Sequence, residues 1–276
     1  MVHARAFSFY DDAASVALPS PGRTVNALSS GGSITKKISD ASVPLFRLRQ
    51  LQSAWYQALY QDNPTEALPD ATSFIWRKYF EMWEWSESLS ANIPGAIREM
   101  LDLELRYSYV YCIASSVRGA QVTPYGRFLI FEHVIAYIDR IYDIANLPAN
   151  AAFYTYHDAL RVFFMGSQFS AVLQDARDLL LSGSPISPPL STPGTVKPPP
   201  PPVRLDRGAG DNLDRSLRCL ERVKLTLKLY GNRWGSALSL MESFEVLSGE
   251  VWKDLTTRQT MRRAAPTAQW QPLPIV

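Results

Sequence analysis

The chain reads as an all-α protein, an irregular array of amphipathic helices with a Pro-rich linker before a C-terminal helical pair. Three observations carry that expectation. Apolar residues recur every three or four positions along successive stretches, as one buried face of a helix requires. Helix punctuation stands at the ends of those stretches: Pro44 and Pro94 open two of them, and Pro148 and Gly231 close two others. Of 276 residues, 46% are apolar and 12% aromatic, enough to bury a sizeable core.

Residues 1–41 carry turn formers and little periodicity, and are expected to be an irregular N-terminal segment. The first helix runs from Pro44 to Tyr60. Its Leu45, Leu48, Leu51, Gln52, Trp55 and Leu59 share one face, opposite Arg47, Gln50, Gln57 and Gln61. Pro44 suits a first helical turn, where the missing amide proton costs nothing.

A second helix spans 73–91, with Ser73 as its candidate N-cap. Phe74, Ile75, Trp76, Tyr79, Phe80, Met82, Trp83, Trp85 and Leu89 surround it, so burial on all sides is expected. Pro94 opens a third helix through about Ser115, with Ile97, Leu101, Leu105, Tyr111 and Cys112 in rough register. The fourth covers Tyr125 to Ala145 on Phe128, Phe131, Ile135, Ile138, Tyr142 and Ala145. The fifth starts near Thr155 and continues past Gly166 to Leu181. Together these make a helical core over 42–181.

Residues 182–210 hold nine of the twenty prolines, including Pro198 to Pro202, and read as an extended, mobile tether. The C-terminal pair over 211–255 is expected to pack on the core. Asn212 to Tyr230 aligns Leu213, Leu217, Leu220, Val223 and Leu227; Trp234 to Leu255 aligns Leu238, Met241, Phe244, Leu247 and Val251. A disordered tail over 256–276 closes the chain.

Composition excludes several function classes. A net charge of +2 without a basic block leaves no electrostatic footprint for nucleic acid. Cys112 and Cys219 lie in separate apolar helical patterns and read as buried free thiols. Met1 to Phe9 lacks the apolar core of a secretory signal, and no apolar run is long enough to span a membrane.

The string Leu48-Arg49-Gln50-Leu51-Gln52-Ser53, followed by Leu59-Tyr60, resembles the "LRxIQSEIxxxLY" segment of fungal zinc-cluster (Zn2Cys6) transcription factors. That segment belongs to their regulatory, or middle homology, region. Leu103-Glu-Leu-Arg-Tyr107 resembles the family's "LELEYHY", although Cys112-Ile-Ala-Ser-Ser116 replaces the "LLYRPS" that usually follows. Leu160-Arg-Val-Phe-Phe-Met-Gly166 resembles "VFxAG", and Arg233-Trp-Gly-Ser-Ala237 with Phe244-Glu-Val-Leu247 resembles "RWPxAxxxxxxFExL". Phe9-Tyr-Asp-Asp-Ala and Val16-Ala-Leu-Pro19 resemble a segment that lies deep within the family's regulatory region. That position implies a fragment, a truncated gene product or a short member, with upstream helices missing.

Membership implies a nuclear regulator that answers to a small-molecule effector or another transcription regulator and self-associates. The DNA-binding zinc cluster is not implied, because it needs six closely spaced thiolates and this chain has two cysteines. Neither zinc nor sequence-specific DNA binding is expected, and no cofactor or membrane partner. If upstream helices are missing, the aromatic stripe of the second helix favours self-association or poor solubility.

For chemistry the sequence offers little. His3, His133 and His157 stand apart from any zinc-ligand spacing, and Asp11-Asp12 has no helical partner. No nucleophile elbow or phosphate-binding loop occurs, so the chain is not expected to be an enzyme. Asp139 and Asp143, one turn apart, offer an alternative as a magnesium-dependent helical enzyme. A solvated face with local ion pairs to Arg140 is the simpler account. The remaining candidate is an aromatic, effector-binding cavity lined by Trp76, Tyr79, Phe80, Trp83, Tyr107 and Tyr111, set against ordinary core packing. A helical interaction scaffold without transcriptional activity is the other alternative.

Overall fold

A computed structural model describes residues 43–54, 71–114, 122–148, 155–184, 186–190, 196–200 and 211–264. The expected irregular segment over 1–41, the end of the first helix beyond 54 and the last residues of the tail lie outside these. Among the described residues every regular element is a helix. They are α1 (43–54), α2 (Ala71–Glu87), α3 (Gly95–Ile113), α4 (Pro124–Ala145), α5 (Tyr156–Leu181), α6 (Asn212–Gly231) and α7 (Ser236–Ala264). No helix among them is long and apolar enough to cross a membrane.

The described residues form two compact units. The first takes those up to Tyr137 together with those between 185 and 205; the second takes Ile138–Ser184 and the residues after 206. The division falls inside α4, and residues 186–190 and 196–200 of the expected tether group with the first unit, while its residues 185, 191–195 and 201–210 lie outside the described ones.

In the first unit α2 packs on α3. Trp76, Tyr79, Met82 and Trp85, spaced by three, form its buried stripe. Trp85 donates its indole N–H to the carbonyl of Pro44, 2.9 Å away, fixing α2 to the start of α1. The expectation that α2 is buried on all sides is corrected here. Arg77, Glu84 and Glu87 face solvent, and Trp83 is 38% exposed. The helix buried nearly all round is α4, where Leu129 through Ile135 are all inside. Its sequence explains this: Glu132 and His133 are its only strongly polar residues between Phe128 and Ile138, so it lacks a solvated face.

In the second unit α5, α6 and α7 pack pairwise. Thr155 opens α5, with the Asp158 carboxylate accepting from its backbone N–H at 2.7 Å. Asp211 caps α6 by accepting from the Asp214 N–H at 3.1 Å. The predicted apolar face of α6 is the buried one: Leu213, Leu217, Leu220, Val223 and Leu227 are all inside.

The predicted face of α7 holds at Phe244 and Val251 and needs correction at Leu238 and Leu247. Ala237, Phe244, Ser248, Val251 and Leu255 are buried, whereas Leu238 and Leu247 are 39% and 40% exposed. The observed stripe repeats at seven and includes the small residues Ala237 and Ser248. Leu238 instead lies over Gly231, where a Cβ would stand. A second correction concerns length: α7 continues to Ala264, through residues expected to be disordered. Arg258 pairs there with Asp254 and Asp178, both at 2.9 Å, and Gln259 with Asp214 at 2.9 Å.

Gly166 marks a close approach of α5 to both α6 and α7. A Cβ placed there would meet Phe244 Cε2 and Val223 Cγ1 at 2.8 Å each. Both neighbours are fully buried and cannot swing into solvent.

Candidate functional site

Most of the buried polar groups of the first unit stand in two places. One joins α1 to α3. Arg49 donates to Gln52 Oε1 at 2.6 Å and pairs with Glu104 at 2.9 Å. Gln52 in turn donates to the Ser108 hydroxyl, which donates to the Glu104 carbonyl at 2.6 Å. Gln52, Glu104 and Ser108 are all buried. Buried polar groups persist only when partnered, so this network fixes the register of the two helices.

The other place is aromatic. Tyr79 on α2 stacks on Tyr109 of α3, with centroids 3.8 Å apart and planes 10° from parallel. The Tyr79 hydroxyl and His133 Nε2 of α4 share a hydrogen bond of 2.9 Å. The His133 ring lies 5.0 Å from that of Tyr109. Burial sets the chemistry of the cluster. It pulls His133 down to about 3, and the Arg106 guanidinium pushes the same way. Burial raises both phenols well above the usual tyrosine range; Tyr125 reinforces this at Tyr79, and Tyr79 does so at Tyr109, while Arg106 opposes at both. All three groups are therefore neutral near pH 7. His133 Nδ1 has no hydrogen-bond partner among the described residues. A neutral phenol and a weakly basic imidazole in an apolar setting make a hydrogen-bonded lock rather than an acid–base pair.

The six residues proposed to line a cavity are distributed as follows. Trp76 and Tyr79 are buried, Phe80, Tyr107 and Tyr111 are half-buried, and Trp83 is exposed. Phe80 and Trp83 meet edge to face at 6.1 Å, Tyr107 and Tyr111 lie 5.9 Å apart, and Trp76 meets Tyr125 at 6.3 Å. Tyr109 and His133 were missed from sequence. The available signal was a lone histidine inside the apolar run of α4.

The carboxylates weighed for metal chemistry take different partners. Asp139 pairs with Arg222 of α6 at 2.7 Å, and Asp143 reaches Arg140 at 4.0 Å. The Arg222 guanidinium also stands 5.1 Å over the Tyr142 ring. Among the described residues no group of three or more His, Cys, Asp or Glu is placed to hold a metal ion. Cys112 and Cys219 are buried thiols that take part in no disulfide among the described residues. Burial pushes the Cys112 thiol up to about 12 and raises that of Cys219, with Asp139 adding to the latter. Both thiols are thereby poor nucleophiles.

Comparison with known proteins finds no matching family model, no matching curated protein and no matching solved structure.

Proposed function

We propose that this chain is the regulatory, non-DNA-binding part of a transcription regulator of the fungal zinc-cluster type, acting in the nucleus through an effector, a partner regulator or self-association. One observation supports this reading above others: the stretches that carry the resemblance meet each other. Arg49 and Gln52, from Leu48–Ser53, bind Glu104 and Ser108 in and beside Leu103–Tyr107. Gly166, which ends Leu160–Gly166, accommodates Phe244 of Phe244–Leu247. The aromatic lock fits the same reading, because it builds a scaffold for recognition and supplies no reactive group.

The test is to fuse the chain to an unrelated DNA-binding domain and measure a reporter in yeast. Reporter output should move, up or down, relative to the DNA-binding domain alone. Equal output from the two at matched nuclear levels would overturn the proposal.

A further inference from the structure

Pro198 to Pro202 are five consecutive prolines, without a single backbone N–H among them. Their carbonyls are then the only backbone groups able to hydrogen-bond, and each is an acceptor in search of a donor. Such a run is held stiff as a polyproline II ridge, so docking it costs little conformational entropy.

Residues 196–200 belong to no regular element, and their burial is uneven. Lys197 and Pro200 are exposed, Val196 and Pro198 are half-buried, and Pro199 is buried. The donor that Pro199 requires is Tyr125, at the first turn of α4, whose hydroxyl donates to its carbonyl at 2.6 Å. Burial raises the Tyr125 phenol above its ordinary range, which keeps the proton in place. Tyr125 is itself only 3% exposed and has two aromatic neighbours, Trp76 at 6.3 Å edge-on and Phe128 at 6.0 Å. A second observation is independent of that bond. The described residues of this stretch, 186–190 and 196–200, group with the first unit, although the described chain on both sides of them groups with the second.

Aromatic rings beside a hydrogen-bond donor aimed at a proline carbonyl are what recognises a polyproline helix. We propose that Tyr125, with Trp76 and Phe128 beside it, forms a polyproline-reading ledge on the first unit, occupied in cis by residues 196–200 as a releasable strap. The ligand it takes in trans is a proline-rich segment of another protein. A tethered occupant acts at an effective concentration on the order of millimolar, so a partner segment engages only by outcompeting the strap. The ledge is thus an autoinhibited docking site.

Fluorescence polarisation on the full chain tests this, with a fluorescein-labelled peptide reproducing residues 195–203 as the probe. Three proteins are compared: the natural chain, a strap-replaced chain carrying P198S, P199G, P200S, P201G and P202S, and the strap-replaced chain with Y125F added. The strap-replaced chain should bind the peptide at least about tenfold more tightly than the natural chain. Y125F keeps the ring, removes only the donor, and should weaken that binding by about fivefold. Should the five replacements lower the thermal midpoint, P199G alone takes their place in the same assay. Peptide binding that is equal with and without the strap, or that survives Y125F undiminished, overturns the proposal.

Discussion

Placing the same methyl group at two helical glycines should change stability in opposite directions. Gly166 lies inside α5 and Gly249 inside α7. In each, Gly→Ala gains about 1 kcal/mol of helix propensity and reduces the freedom of the unfolded chain equally. The surroundings differ. Nothing lies within 4 Å of a Cβ at Gly249, whereas one at Gly166 would meet Phe244 and Val223 at 2.8 Å. Optimal carbon–carbon separations are about 3.5–4.0 Å, so the ring and the valine must move. Both are fully buried, and overpacking of that kind costs about 1–3 kcal/mol. Gly249→Ala should therefore stabilise by up to about 1 kcal/mol, and Gly166→Ala should destabilise by up to about 2 kcal/mol. The propensity gain cancels in the difference, which isolates the overpacking cost. Urea unfolding of the two variants, with unchanged m-values, reads it directly. A Gly166→Ala chain as stable as Gly249→Ala would refute the close approach of α5, α6 and α7.

Two further outcomes follow from the buried polar groups of the first unit. His133 is held neutral with its folded pKa near 3, below the ordinary 6.5, so between those values the unfolded chain binds the extra proton. Its contribution is fully present above about pH 6.5 and is lost as pH falls toward 3, with a slope of up to about 1.4 kcal/mol per pH unit. Urea midpoints measured from pH 4 to pH 7 should show that slope reduced in His133→Gln; an unchanged slope would place the proton elsewhere. For Arg49 and Glu104, a double-mutant cycle to alanine should give a coupling of about 1–2 kcal/mol, because the carboxylate is buried and the guanidinium partly so. The exposed Arg258–Asp178 pair should give about 0–1 kcal/mol in the same measurement, and equal couplings would contradict the assigned burial.

Among the described residues the local pattern was enough to place the helices, apart from the continuation of α7 past Leu255, and the buried face of α6. Leu213, Leu217, Leu220, Val223 and Leu227 recur at a period set by the chain's own geometry, and no neighbour is needed to read it. Periodicity fails where a helix offers more apolar surface than one partner can cover. In α2 the aromatic residues occupy every side, and only packing against α3 and α1 selected Trp76, Tyr79, Met82 and Trp85 for burial. In α7 two adjacent stripes were available, and the one carrying small Ala237 and Ser248 went inside. The candidate site was legible only in part, for the same reason. Tyr79 could be named from its helix, but the imidazole that meets its hydroxyl lies 54 positions away, and the proline carbonyl that meets Tyr125 lies 74 away. The phase of a helix is written in neighbouring residues, whereas the choice of partner depends on which distant surfaces exclude water together, and only the tertiary structure decides that.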